Sequence, residues 1–175
     1  RQRKMLGLGD AILTAEPLIG NEPFAVILAD DLCDSPNDGV LSQMIKIYNK
    51  YQCSIVAIEE IPINQSNKYG VIAGNLISGS SDTFLATDMI EKPDSKDAPS
   101  NMAIIGRYIL TPDIFKILKE IKPGINNEIQ ITDALKIQAK KGKVIAYKFK
   151  GNRFDCGTIK GFLEATNYFA NKLDI

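Results

Sequence analysis

Two short acidic motifs stand where this chain could do chemistry. Asp30-Asp31 closes the apolar run Phe24-Ala-Val-Ile-Leu-Ala29, and Asp155 lies in Phe154-Asp155-Cys156-Gly157-Thr158, just after the apolar run that starts at Val144. In open α/β sheets, ligands bind beyond the carboxyl ends of strands. A carboxylate there can hold Mg²⁺, which grips phosphate oxygens. Two carboxylates from separate strands, Asp30 and Asp155, would make a divalent site. Each also has a plainer reading. Asp30-Asp31 serves equally as a turn or helix N-cap, and Asp155 as a cap on the next helix, with Gly157 needed only for its backbone conformation.

Three further motifs carry polar or glycine chemistry. Glu91-Lys92-Pro93 ends an apolar run, and neighbours on a strand point to opposite faces. Glu91 facing a cleft could accept bonds from sugar hydroxyls, while Lys92 at the strand end could swing to a phosphate. An exposed pair before a proline turn is the alternative. In Tyr69-Gly70-Val71 the glycine permits close approach of a ligand or marks a bulge. Gly7-Leu8-Gly9 precedes an amphipathic stretch and is either an anion cradle or ordinary helix-start chemistry.

Composition narrows the classes. The 175 residues hold 21 Lys plus Arg, 21 Asp plus Glu and no His, so formal net charge is zero. No basic field is available for nucleic acid, and every imidazole-based triad is excluded. Cys33, Cys53 and Cys156 are odd in number and lack paired spacing, which argues against a disulfide framework or zinc site and for reduced thiols in a cytoplasmic protein. No run of roughly 18 apolar residues suggests a membrane span, and no signal peptide opens the chain. The polar start Arg1-Gln2-Arg3-Lys4 is unusual for a fold, so a larger protein is expected.

The elements that would position these motifs follow from periodicity. Asp10–Glu16 reads as a helix. Phe24–Ala29 and Ser54–Ile58 read as strands buried on both faces, separated by a helix bearing Val40, Leu41, Met44, Ile45 and Tyr48. Strand, helix, strand is a βαβ unit. Tyr69–Ile72 and Phe84–Ile90 suit a hairpin around Asn75–Asp82, and Lys92–Asn101 a surface loop. Met102–Leu110 is a strand followed by a helix opened by Thr111-Pro112-Asp113. Glu128–Lys141 is a helix ended by Gly142, Val144–Lys150 a strand, and Phe162, Leu163, Phe169 and Leu173 form the apolar stripe of a last helix. The expectation is one α/β domain over residues 1–175, with a mostly parallel sheet flanked by helices and a small antiparallel region.

The motifs gain meaning from their order. Arg1-Gln2, Gly7-Leu8-Gly9, Leu28-Ala29-Asp30-Asp31, Tyr69-Gly70-Val71, Ile90-Glu91-Lys92-Pro93, Ala98-Pro99-Ser100-Asn101, Gly106-Arg107-Tyr108, Asn127-Glu128-Ile129-Gln130-Ile131-Thr132-Asp133 and Asp155-Cys156-Gly157 form a series. From end to end it resembles the bacterial UTP–glucose-1-phosphate uridylyltransferases. The wider sugar nucleotidyltransferase group shares the strand-end Asp, the Tyr-Gly-Val and the Glu-Lys-Pro. The Asn-Glu-Ile-Gln run and the Asp-Cys-Gly favour the uridylyl branch.

The resemblance implies a Rossmann-like nucleotide-diphospho-sugar transferase fold whose N-terminal part lies outside this chain. That part carries Gly-x-Gly-Thr-Arg and Pro-Lys-Glu, which grip the triphosphate and the base; without it the sheet would be incomplete, with an open edge. The resemblance also implies roles. Gln2 and Gly7 would contact the uracil. Asp30 would bind Mg²⁺, with Asp155 completing the site. Gly70, Glu91 and backbone near Ile104 would hold the glucose, and Lys92 would meet the sugar phosphate. The implied reaction joins UTP and glucose 1-phosphate into UDP-glucose and pyrophosphate, without a protein nucleophile, in a cytoplasmic protein that self-associates as a homo-oligomer. A thymidylyl- or guanylyltransferase of the same fold, a non-catalytic sugar-nucleotide-binding paralogue and a dimerisation fragment stay open as alternatives.

Overall fold

The computed structural model describes residues 2–173. Arg1, which opens the Arg1-Gln2 pair, lies outside them. The strands are β1 (Phe24–Ile27), β2 (Asp31–Asp34), β3 (Ser54–Glu60), β4 (Gly70–Leu76), β5 (Thr83–Glu91), β6 (Met102–Leu110), β7 (Val144–Lys148) and β8 (Asn152–Asp155). The helices are α1 (Leu8–Leu13), α2 (Glu16–Ile19), α3 (Val40–Tyr51), α4 (Asp113–Glu120), α5 (Ile131–Ala139) and α6 (Ile159–Lys172).

Six strands form one sheet in the order β1-β6-β3-β7-β5-β4, and β2 pairs with β8 in a separate ribbon. The expected α/β layering is present, but the mostly parallel sheet is not. Among the described residues only β3 and β7 pair in parallel; the β1–β6, β3–β6, β5–β7 and β4–β5 pairs are antiparallel. The causes are β6, which inserts between β1 and β3 and runs against both, and β5, which runs against both β7 and β4. The largely apolar run of β6, interrupted by Arg107, reports burial on two faces and carries no information on direction. β1 also departs from expectation. It lies at the end of the sheet, its outer edge unpaired among the described residues, and its residues alternate between half-buried and exposed.

Strand alternation divides the core between the two faces. Val56 and Ile58 of β3 face one side, packed with Ile114, Phe115 and Leu118 of α4 and Leu135 of α5. Ile55 and Ala57 face the other, packed with Val40 and Met44 of α3. Each buried aliphatic side chain contributes about 1.5–3 kcal/mol. The ring of Phe115 stacks on Phe24 with centroids 5.0 Å apart, which holds β1 against α4.

Two helices differ from their sequence patterns. α5 starts at Ile131, not Glu128, so Glu128-Ile129-Gln130 runs as non-helical chain along the N-terminal segment: Ile129 donates to Leu6 and accepts from Gly9, both at 2.8 Å. The apolar stripe of α6 remains largely in solvent, with Phe162 at 59% and Leu163 at 54% exposure, because α6 rests on the narrow β2–β8 ribbon and buries only Gly161 and Ala165.

Candidate active site

One cleft of about 350 Å³ gathers most of the motif residues. Asp30, Gly70, Glu91, Lys92, Ile104 and Asp155 all line it. Gln2 and Gly7 lie beside it rather than on its wall. The Gln2 amide donates to Asp10 at 2.8 Å and to the Gly7 carbonyl at 3.2 Å. Gly7 has φ +92°, and a Cβ there would stand 2.8 Å from Glu128 Cβ, so its backbone packs against the segment that enters α5.

The acidic wall is made by the β2–β8 ribbon, in which Asp31 pairs with Asp155. Sequence periodicity does not announce either strand, since Asp-Leu-Cys-Asp and Asn-Arg-Phe-Asp are short and polar. The ribbon brings Asp30 beside Asp155, and the Cys156 amide donates to the Asp30 carbonyl at 2.7 Å. A Cβ on Gly157 would stand 3.1 Å from Asp155 Oδ1 and 3.3 Å from Asp30 Oδ2. The two carboxylates therefore both reach the space over Gly157, where a side chain would crowd them. Hard oxygen donors in such a space suit a divalent cation.

The two adjacent aspartates have different duties. Asp31 is buried and saturated: Gly106 N donates to Oδ2 at 2.6 Å, and Arg153 Nε bonds to Oδ1. The Asp30 carboxylate has no hydrogen-bond partner among the described residues. Asp155 accepts from Tyr69 Oη at 3.1 Å and from the Gly157 amide at 3.2 Å, which makes it both a turn cap and a cleft group. The N-cap of α6 is Thr158, whose hydroxyl accepts from Gly161 N.

The opposite wall is built from β4, β5 and α5. Glu91 Oε2 accepts from the Thr132 hydroxyl at 2.6 Å. Gly70 sits under this pair, and a Cβ there would meet Thr132 Oγ1 at 3.0 Å and Glu91 Oε2 at 3.2 Å. Strand alternation would place Lys92 on the far face from Glu91. It does not, because Lys92 takes φ +47° with its amide bonded to Tyr69 O at 3.0 Å. This left-handed turn lets Lys92 line the same cleft, with Nζ 3.9 Å from Glu91 Oε1. Long side chains rarely adopt this conformation, and such outliers cluster at functional sites.

Arg153, which the motif series passes over, is buried among the acids. Its guanidinium reaches Glu59 at 2.7 Å as well as Asp31, and lies 5.0 Å above the ring centroid of Tyr69. Burial opposes its charge, but bonds to Tyr69 and Asp31 outweigh that and raise its pKa. Burial also raises Glu59, which shares the guanidinium with other carboxylates and gains too little from it to compensate. Burial pushes the hydroxyls of Tyr69 and Tyr108 upward, so both remain protonated donors near neutral pH. An isolated Arg gives no sequence signal here, because its partners lie far away along the chain.

This arrangement matches known proteins. The nucleotidyl transferase family model covers residues 1–172. The chain belongs to the nucleotidyl transferase family. It is 61% identical over 169 residues to a UTP–glucose-1-phosphate uridylyltransferase of Pseudomonas aeruginosa, covering 96% of this chain and 60% of the relative. The chain thus spans about three fifths of that relative's length. A solved structure of UDP-glucose pyrophosphorylase complexed with UDP-glucose superposes with a TM-score of 0.94 at 61% identity, covering 98% of this chain and 65% of the other. UTP-bound UGPase from Acinetobacter baumannii gives 0.85 at 34% identity, covering 98% and 59%. The nucleotidyl transferase fold expected from the motif series is therefore present. No helix among the described residues is long and apolar enough to cross a membrane.

Proposed function

We propose that this chain supplies the sugar-phosphate and metal side of a UTP–glucose-1-phosphate uridylyltransferase site. In the reaction, a phosphate oxygen of glucose 1-phosphate attacks the α-phosphorus of UTP. The new P–O bond forms as the bond to pyrophosphate breaks, giving UDP-glucose. No protein nucleophile takes part; the site positions the reactants and offsets charge.

Asp30 and Asp155 would hold Mg²⁺. A divalent cation held by these carboxylates would supply charge neutralisation for phosphate oxygens. Lys92 adds a cation for the sugar phosphate, held at the cleft by its left-handed backbone. Glu91 accepts from the glucose hydroxyls with the oxygen that Thr132 leaves free, while Gly70 and the chain at Ile104 give the ring room. Gln2 and Gly7 hold the base from beside the cleft.

The observation that carries this reading is the convergence of Asp30 and Asp155 over Gly157, in the cleft that Lys92 and Glu91 line. The name of the Pseudomonas relative supports the same choice of substrates. Asp30→Asn in the intact protein should lower turnover roughly a hundredfold or more while barely moving the thermal midpoint, because the Asp30 side chain has no hydrogen-bond partner among the described residues. Turnover equal to the parent would refute the metal assignment.

A further inference from the structure

The acidic wall holds a cation of its own. Arg153 spans three carboxylates from three strands: Asp31 of β2 through Nε, Glu59 of β3 at 2.7 Å, and Asp155 of β8 at 3.9 Å. Its side chain is 7% exposed. It lies over the ring of Tyr69, and Nη1 reaches the Tyr69 hydroxyl at 3.4 Å. That hydroxyl donates to Asp155 Oδ2 at 3.1 Å, and the other oxygen of Asp155 takes the Gly157 amide. The orientation of Asp155 toward Asp30 is therefore fixed by groups that Arg153 in turn fixes.

We propose that Arg153 is the positioning residue of the divalent site, acting through Asp31 and Tyr69 to keep Asp155 facing Asp30. The proposal rests on the metal reading given above. Three features support a positioning role over simple neutralisation. The planar fork serves two carboxylates at once, which an ammonium cannot do in the same geometry. Stacking on Tyr69 sets the direction of the hydroxyl that Asp155 accepts. The same guanidinium pins Asp31, whose neighbour Asp30 is the other proposed ligand. Outer groups that orient metal ligands commonly change metal affinity by roughly 10–100-fold when replaced.

The test titrates Mn²⁺, in place of Mg²⁺, into the full chain and follows the paramagnetic resonance signal of free Mn²⁺. Parent, Asp30→Asn, Arg153→Lys and Tyr69→Phe proteins are compared, with thermal midpoints taken in chelator. Asp30→Asn should lose Mn²⁺ binding, Arg153→Lys should bind roughly tenfold more weakly or worse, and Tyr69→Phe should show a smaller loss in the same direction. A merely structural arginine would lower the midpoint and leave Mn²⁺ affinity alone, and that result overturns the proposal. If Arg153→Lys does not fold, Tyr69→Phe decides, since it removes one hydroxyl: parent affinity there also overturns it. Parent affinity in Asp30→Asn removes the divalent site itself, and with it this role for Arg153.

Discussion

Thr132 donates a hydrogen bond from its hydroxyl to Glu91 Oε2 at 2.6 Å, and so joins the start of α5 to the end of β5 within one wall of the cleft. The bond fixes which carboxylate oxygen is held inside the protein and leaves the other to the cleft. Thr132→Val keeps the shape and removes the donor. On the proposed function, loss of a hydrogen bond to a charged group, about 1.5–3 kcal/mol, should raise the KM for glucose 1-phosphate roughly tenfold or more, with the KM for UTP little changed. Steady-state kinetics in both substrates checks this.

Two glycines of the cleft should behave differently when a methyl group is added. At Gly70 the new Cβ would press on Thr132 and Glu91 at 3.0 and 3.2 Å, side chains that can give way slightly. Gly70→Ala should leave the urea midpoint almost unchanged and weaken the proposed sugar-phosphate binding. At Gly106 the Cβ would stand 2.6 Å from Asp31 Oδ2 and 2.7 Å from Leu28 Cβ, in a place with no slack. Gly106→Ala should lose about 1–3 kcal/mol of stability, the usual cost of overpacking. Equal urea midpoints for the two variants would contradict this ordering.

Gln43 should be the costliest polar residue to lose outside the cleft. Its amide donates to Ser35 Oγ, Asp38 O and Lys150 O, and its oxygen accepts from Tyr147 Oη at 3.1 Å and Lys150 N at 2.9 Å. Gln43→Met keeps the volume but strands buried donors, each costing about 1–3 kcal/mol. Denaturant unfolding should show a loss of at least 2 kcal/mol, roughly, with no change in the slope.

The docking of α6 should depend on pH at both extremes. Lys172 Nζ bonds both oxygens of Asp34 at 2.7 Å, and Tyr168 Oη donates to the same carboxylate at 2.7 Å. The bond from Lys172, and then that from Tyr168, lowers Asp34 below the ordinary carboxylate range, while the bond to Asp34 raises Lys172 above the ordinary lysine range. A lowered acid stabilises the fold above its unfolded pKa and loses that as pH falls through the lowered value. A raised base stabilises it below its unfolded pKa and loses that as pH rises through the raised value. The thermal midpoint of the parent should exceed that of Lys172→Ala at neutral pH. The gap should narrow as pH falls below the ordinary carboxylate range and again as pH rises above the ordinary lysine range; a constant gap would show that the pair does not act through charge.

Much of the frame was legible from patterns of burial. Met102–Leu110 was readable to the residue because an apolar run flanked by Asn101 and Thr111 leaves no other boundary. Its direction was not, because periodicity is the same for either sense of pairing. The stripe on α6 was legible as a stripe, but Phe162 and Leu163 show that a helical period does not say what, if anything, covers it. Asp30, Glu91, Lys92 and Asp155 could be named as a set from motif order, and the cleft holds all of them. Arg153 and the bond from Thr132 to Glu91 could not, since both exist only through contacts between distant segments. Lys92 shows a finer limit: its place in the cleft depends on one backbone torsion that leaves no mark on residue type.

The β2–β8 ribbon joins segments far apart in the chain, and Arg153 meets Asp31 across 122 residues. On a ribosome the acidic wall therefore cannot exist until the segment around Asp155 has left the exit tunnel, long after β1 and β3 have been made. The ordering of so long a loop is slow and entropically opposed. The part of the cleft nearest the proposed chemistry should thus be among the last to form during synthesis.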